Sequence, residues 1–335
     1  MLNVDQVTAR VNGMMNSSFE ALAVLLKAAA DPIRLMILKV LHDSSYGVLE
    51  LSEICGMRQS GISHHLKLLA SAGWLETRKE GNSIFYRRSL LTGPHQELLA
   101  QTWLALEQYE LPLEVRQRAE KVHEGRIEAA KEFFSKHAHQ FKKHQDLIAE
   151  FESYDATVQQ LLRSVHYRSR RLAMEIGPGT GEFLNPLSQN FDRVLALDIS
   201  ADMLAKAQHR CEHQQLENVT LIQGEISQLD VDTPLADAIV YNMVLHHVPD
   251  PARELRLSAA RLAPSGCLLI TELCQHDQAW ARENCGDLWL GFAENELVHW
   301  ARSSHLIHRQ TIYVGLRNGF QIQCLLFQKP EAEAA

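Results

Sequence analysis

One stretch, residues 171–198, restricts the fold more than any other. An apolar run, Leu172–Ile176, passes straight into Gly177-Pro178-Gly179-Thr180-Gly181. Phe183, Leu184 and Leu187 follow at helical spacing, and a second apolar run closes on Asp198. Strand, glycine turn, helix, and a strand ending in a carboxylate make a nucleotide-binding βαβ unit. The turn needs glycine because that backbone bends tightly and admits a ligand where a side chain would block it. Asp198 sits about twenty residues beyond the first glycine, where an acid accepts hydrogen bonds from ribose hydroxyls.

The spacing argues against a dinucleotide. Pyrophosphate sites use G-x-G-x-x-G, which seats phosphate on a helix N-terminus. Here the run is G-x-G-x-G, with Glu175 just ahead of it. A carboxylate there repels phosphate and suits a cation. S-Adenosylmethionine has the required chemistry: adenosine, an ammonium, a sulfonium and no phosphate. The residues resemble the class I S-adenosylmethionine-dependent methyltransferases, whose first motif is an acid followed by GxGxG. That resemblance spans residues 172–329 and implies S-adenosylmethionine or S-adenosylhomocysteine as cofactor. It also implies that Glu175 and the backbone of Gly177, Gly179 and Gly181 hold the methionine moiety. Asp198 would take the ribose, and Ile199 and Met203 would pack on adenine. Gly224, Glu225 and Ile226 close the third strand, with glutamate where the family usually has an adenine-contacting aspartate; Asn242 ends the fourth.

The alternation continues downstream. Strands are predicted at Val219–Gln223, 236–241 and 266–272, with helices at Ala201–Gln214 and 252–262. Two apolar runs, 307–316 and 320–328, flank Asn318-Gly319, a hairpin signal. The expected fold is a Rossmann-like, mostly parallel sheet finished by an antiparallel hairpin. Methyl transfer is an in-line displacement, so the protein mainly positions a nucleophile, with a general base where one is needed. His246 and His247, just after the fourth strand, are the candidates for that base. The Asn/Asp-Pro-Pro-aromatic run of base-modifying enzymes is missing, and Cys274 and Cys285 are too few for arsenite methylation. Residues 280–292 are expected to cover the pocket.

The N-terminal part follows different rules. Residues 19–41 carry apolar side chains at three-four spacing, interrupted by Asp31-Pro32, a pair favoured at a helix N-terminus. Val48–Cys55 reads as a short helix stopped by Gly56, and residues 59–72 as a second. Two short helices around a glycine turn form a helix-turn-helix. The second helix keeps Ile62, Leu66 and Leu69 for the core and offers Gln59, Ser60, Ser63, His64, His65 and Lys67 to bases and phosphates. Residues 74–79 and Ser83–Arg88 form a hairpin with Arg78, Lys79, Arg87 and Arg88 on it, a wing suited to the DNA backbone. D-P-x-R, S-x-H-L-K-x-L and A-G-W stand in order over residues 19–91, which resemble the ArsR family of winged-helix repressors. The resemblance implies a homodimer on a palindromic double-stranded DNA operator.

Metal sensing, common in that family, finds little support: Cys55 has no C-x-C partner, and His95 is the only histidine between Pro94 and Tyr109. No metal ligands are assigned. The six cysteines form no CxxC and read as reduced thiols, consistent with a cytoplasmic protein. A net charge of −8 confines any nucleic-acid contact to a local basic surface. No apolar run approaches membrane length.

Three regions are therefore expected: a winged-helix DNA-binding domain over 1–92, a helical connector and dimerisation region over 93–170, and a methyltransferase-like domain over 171–330. In the connector, residues 96–106 resemble the ArsR dimer helix, and residues 115–148, with Phe133, Phe134, Ala138 and Phe141 apolar, are expected to pack on the C-terminal domain. The architecture resembles S-adenosylhomocysteine-responsive regulators of methionine metabolism. It implies a transcriptional regulator, a repressor by family, with an adenosyl effector. The alternative is an active methyltransferase of a small metabolite that carries an autoregulatory DNA-binding domain.

Overall fold

The computed structural model describes residues 19–81, 83–90 and 93–331, with the side chains of 138–144 and 283 outside the description. Asn82 of the expected wing turn, Ala138 and Phe141 of the connector's apolar face, and the tail after residue 331 therefore lie outside it. Two compact units meet between His123 and Glu124, within the stretch read as connector.

The first unit begins with helix α1 (residues 19–29) and α2 (Pro32–Val40). Asp31 caps α2, its carboxylate accepting from the Arg34 N–H at 3.0 Å. Pro32 has no N–H to leave orphaned there. Next come β1 (Tyr46–Gly47), α3 (Val48–Cys55), α4 (Gln59–Ser71), β2 (Leu75–Glu80) and β3 (Ser83–Arg88). Gly56, at φ 64°, ends α3 in the left-handed region and makes the turn into α4. The strands form an antiparallel sheet in the order β1-β3-β2. Leu51, Ile54, Ile62, Leu66 and Leu69 are fully buried between the helices. The Trp74 indole N–H donates to the Leu25 carbonyl at 2.7 Å, tying the wing to α1. Helix α5 (Gln96–Glu107) and the first turns of α6 (Leu113–Ile148) complete this core with Leu99, Leu106 and Val115. The result is a helix-turn-helix with a wing.

The second unit takes the rest of α6, then α7 (Asp155–Ser164), β4 (Leu172–Ile176), α8 (Leu184–Asn190), β5 (Arg193–Asp198), α9 (Ala201–Gln214), β6 (Val219–Gln223), β7 (Ala236–Asn242), α10 (Pro251–Arg261), β8 (Leu262–Leu273), α11 (Trp280–Cys285), α12 (Glu294–Ser303), β9 (Ile307–Gly315) and β10 (Gln321–Gln328). They build a seven-stranded sheet in the order β6-β5-β4-β7-β8-β10-β9. All pairs are parallel except those of β10, which runs against both its neighbours. Strand order reverses between β4 and β7, the switch point where open α/β sheets bind ligands. β4 is buried at every position, as its unbroken apolar run requires.

Strand β8 starts earlier than its apolar run. Leu262 pairs with Ala236, and a register shift follows before Ala238 meets Cys267. Gly266 makes the shift possible, since a Cβ there would lie 2.8 Å from the Ala263 carbonyl oxygen. At the β9–β10 turn, the Asn318 amide donates to the carbonyls of Leu147 and Ile148 at 2.8 Å each, closing the C-terminal end of α6.

Candidate functional site

The turn after β4 is built as its glycines demand. Gly177, Gly179 and Gly181 have φ of 64°, 54° and 79°. A Cβ on Gly177 would sit 2.3 Å from a Val244 methyl, whereas one on Gly179 would meet only open space. Gly181 serves packing instead: its Cβ would strike Leu184 and Ala207. The turn borders a pocket at the carboxyl ends of β4, β5 and β7, and ten of its wall residues were expected from the sequence: Glu175, Gly177, Gly179, Asp198, Ile199, Met203, Gly224, Glu225, Asn242 and His247. Three expected residues are off the wall. Gly181 packs as described, Ile226 is buried in the core, and His246 turns away toward Glu272.

The electrostatics are those of a cation site. Glu175 is 2% exposed; one carboxylate oxygen accepts from the Asn242 amide at 3.3 Å. Its other oxygen, and the Asn242 amide oxygen, are closed to water with no hydrogen-bond partner. Two buried oxygens with no hydrogen-bond partner are costly until a ligand pairs with them. Burial pushes the Glu175 carboxyl up to about 8; the Asn242 bond works against this, and Glu182 and Asp198 add to it. Asp198 is raised by burial to about 6, opposed by backbone hydrogen bonds from Ser200 and Gly179. Among the described wall residues there is no lysine or arginine. Orphaned acceptors in an acid-lined, glycine-cradled pocket fit a ligand that brings an ammonium and no phosphate.

Much of the wall was not expected. Ile127, Phe134 and Gln145 come from α6, and Phe151 and Tyr154 from the turn before α7, giving the pocket an aromatic side. The apolar pair Phe133-Phe134 was legible; its place on this wall was not, because no local pattern names a helix's partner. Phe134 meets the His247 ring edge-on at 5.0 Å, and the Arg126 guanidinium donates to the Pro249 carbonyl at 3.1 Å.

The two candidate bases differ sharply. His246 Nδ1 lies 2.7 Å from Glu272 Oε1, and its backbone N–H donates to Oε2 at 3.1 Å. Burial opposes its charge, but the carboxylates of Glu272 and Asp287 outweigh that and raise it to about 9. His247 is held well below the usual histidine range by burial and by His246. With Asp287 these histidines bring three ligand-type atoms within 4.8 Å of one another, a cluster the sequence did not announce.

In the first unit, Gln59, Ser60, Ser63, His64 and Lys67 lie exposed along α4, and His65 is half-buried. The wing divides its basic residues. Lys79 is exposed, while Arg78 is buried (7% exposed) and ion-paired with Glu80. Arg87 is half-buried and pairs with Glu76 at 3.1 Å. Arg88 donates to the Leu38 carbonyl at 2.7 Å and covers the Trp103 ring. Arg58, exposed at the N-cap of α4, was not among the expected residues.

Family profiles match both units. One described as "Methyltransferase domain" covers residues 141–311, and one described as "Bacterial regulatory protein, arsR family" covers residues 31–77. The chain belongs to both families. Its first unit is an arsR-type regulator domain, and its second has the class I methyltransferase fold. Among similar proteins, the uncharacterized HTH-type transcriptional regulator MJ1325 of Methanocaldococcus jannaschii is 44% identical over 69 residues, 20% of this chain and 78% of that protein. The transcriptional activator HlyU of Vibrio cholerae is 46% identical over 66 residues, 20% of this chain and 61% of that protein. Ubiquinone biosynthesis O-methyltransferase of Coxiella burnetii is 29% identical over 107 residues, 32% of this chain and 45% of that enzyme. A solved structure of magnesium protoporphyrin IX methyltransferase from Synechocystis aligns with a TM-score of 0.49 at 16% identity, covering 61% of this chain and 99% of that one. Among the described residues, no helix of the arsR–methyltransferase chain is long and apolar enough to cross a membrane.

Proposed function

We propose that the protein is a DNA-binding transcriptional regulator, by family a repressor, whose methyltransferase domain binds S-adenosylmethionine or S-adenosylhomocysteine as effector. The observation that carries this is the Glu175–Asn242 pair: two buried oxygens without a hydrogen-bond partner, in a pocket whose described wall residues include no lysine or arginine, on a chain that also carries an arsR-type helix-turn-helix. In this reading Glu175 and Asn242 take the amino-acid ammonium, Asp198 the ribose hydroxyls, and Ile199 and Met203 the adenine face. Gln59, Ser60, Ser63, His64 and Lys67 face the operator, with Lys79 on its backbone. The protein acts as a cytoplasmic homodimer on a palindrome, and its target genes belong to methionine metabolism.

Helix α6 contributes Val115 to the winged-helix core and Ile127 and Phe134 to the pocket wall. A ligand that reorders the wall therefore acts on a helix that also belongs to the DNA-reading unit. Allosteric couplings of this kind are worth about 1–3 kcal/mol, or roughly 5- to 150-fold in operator affinity. Fluorescence anisotropy on operator DNA, with and without each adenosyl compound, tests it; an affinity unmoved by both discards effector control.

One observation favours a second reading, methyl transfer to a small metabolite. His247 is neutral at the pocket wall, as a general base must be. Incorporation of labelled methyl groups from S-adenosylmethionine into cell extract, silent in Asp198→Ala, would establish the enzyme.

A further inference from the structure

His246 and His247 follow β7, and Asp287 follows α11, some forty residues on. The two loops are fastened together: the Leu288 and Trp289 N–H groups both donate to the His246 carbonyl, at 2.9 and 3.1 Å. The Trp289 indole also donates to the Val248 carbonyl at 2.8 Å. The three side chains are thus held side by side, all buried, by contacts that are not their own. His246 Nε2 and His247 Nδ1 each stand 3.9 Å from Asp287 Oδ1.

We propose that His246, His247 and Asp287 bind one divalent transition-metal ion of the zinc class. Two imidazoles and a carboxylate suit zinc, cobalt, nickel or iron(II), and not magnesium or calcium. Donors around a four-coordinate zinc, with bonds of about 2.0–2.1 Å, lie roughly 3.4 Å apart. Each histidine–Asp287 pair, now at 3.9 Å, needs to close by about half an ångström to reach that spacing, and the histidine pair, within 4.8 Å, by at most about 1.4 Å. Glu272 supplies the outer support: its carboxylate holds His246 Nδ1 at 2.7 Å, which turns Nε2 toward Asp287. A carboxylate behind a ligating histidine is the usual way such rings are oriented and made more basic. The 3.3 Å contact of His247 Nδ1 with the Gly286 carbonyl is long, and metal binding replaces it. His247 is also on the wall of the adenosyl pocket. Three protein ligands leave a coordination position for water or an anionic group of a pocket occupant. The site does not depend on the adenosyl reading.

Zinc titration of the chelator-stripped full chain by calorimetry, without any adenosyl compound, tests it. One tight equivalent per chain is expected, weakened about a hundredfold or more in Asp287→Asn. Glu272→Gln, which keeps the three ligands, should weaken it about ten- to hundredfold. His209→Ala/His213→Ala, on the solvent side of α9, should change nothing. Cobalt(II) should give tetrahedral visible bands that Asp287→Asn abolishes. Zinc anomalous scattering from wild-type crystals should peak between the three side chains, and this measurement needs no variant to fold. The inference is overturned by the lack of a tight equivalent, by one that survives Asp287→Asn, or by an anomalous peak elsewhere. Each would mean that the cluster is a buried imidazolium clasped by Glu272 and Asp287.

Discussion

Replacing Glu175 by glutamine should stabilise the empty protein while destroying its pocket. The carboxyl is raised to about 8 in the folded protein against 4.5 when free. Between those values the unfolded chain is ionised and the folded one is still protonated, so stability falls as pH rises and levels off only above the folded value. From 4.5 to 7 this amounts to about 3 kcal/mol, at roughly 1.4 kcal/mol per unit. Glutamine never ionises and keeps the bond with Asn242 within reach. Guanidinium unfolding, followed from pH 5 to 8 in the transition that ligand shifts, should show the wild type losing about 3 kcal/mol relative to Glu175→Gln. S-Adenosylhomocysteine should restore the wild type at pH 8 and leave the variant unmoved. Parallel stability curves, or equal ligand-induced shifts, would refute the assignment of a strained, cation-seeking carboxylate.

Three other outcomes follow from the same geometry. Binding of an ammonium-bearing ligand at pH 7 should release close to one proton from Glu175, read from the dependence of the calorimetric enthalpy on the buffer's ionisation heat; no release contradicts the raised carboxyl. Gly177→Ala should cost about 1–3 kcal/mol for its left-handed backbone and more for the Val244 collision, and adding Val244→Ala should recover only the second part in thermal unfolding. Lys67→Gln and Lys79→Gln should each weaken DNA binding and lower the salt slope by about 1. Arg78→Gln should instead act on folding, by about 3 kcal/mol, because it removes the cation from a buried ion pair; stability unchanged beside weakened DNA binding would reverse that assignment.

The parallel sheet and its glycine turn were legible because their signals are local. Leu172–Ile176 and Ala201–Gln214 could be bounded from apolar period and caps alone, and Asn318-Gly319 marked the last hairpin. The α6 wall and the Asp287 partner were not, since both depend on which surfaces meet across long gaps. The wing shows a subtler loss. Arg78 and Lys79 read as one basic cluster, yet successive strand residues point to opposite faces, and Arg78 shares its face of β2 with the buried Glu80 while Lys79 lies on the other. The pleat was available in the sequence; charge counting concealed it.

The hairpin turn at Asn318 carries one more consequence. Asparagine before glycine is the pair most prone to spontaneous deamidation, and this one is exposed. Conversion to aspartate would set a negative charge against the carbonyls of Leu147 and Ile148 that the amide now satisfies. Stored or long-lived protein would thus age first at the anchor of a helix that walls the pocket, and a mass increase of about one dalton would track its loss of ligand.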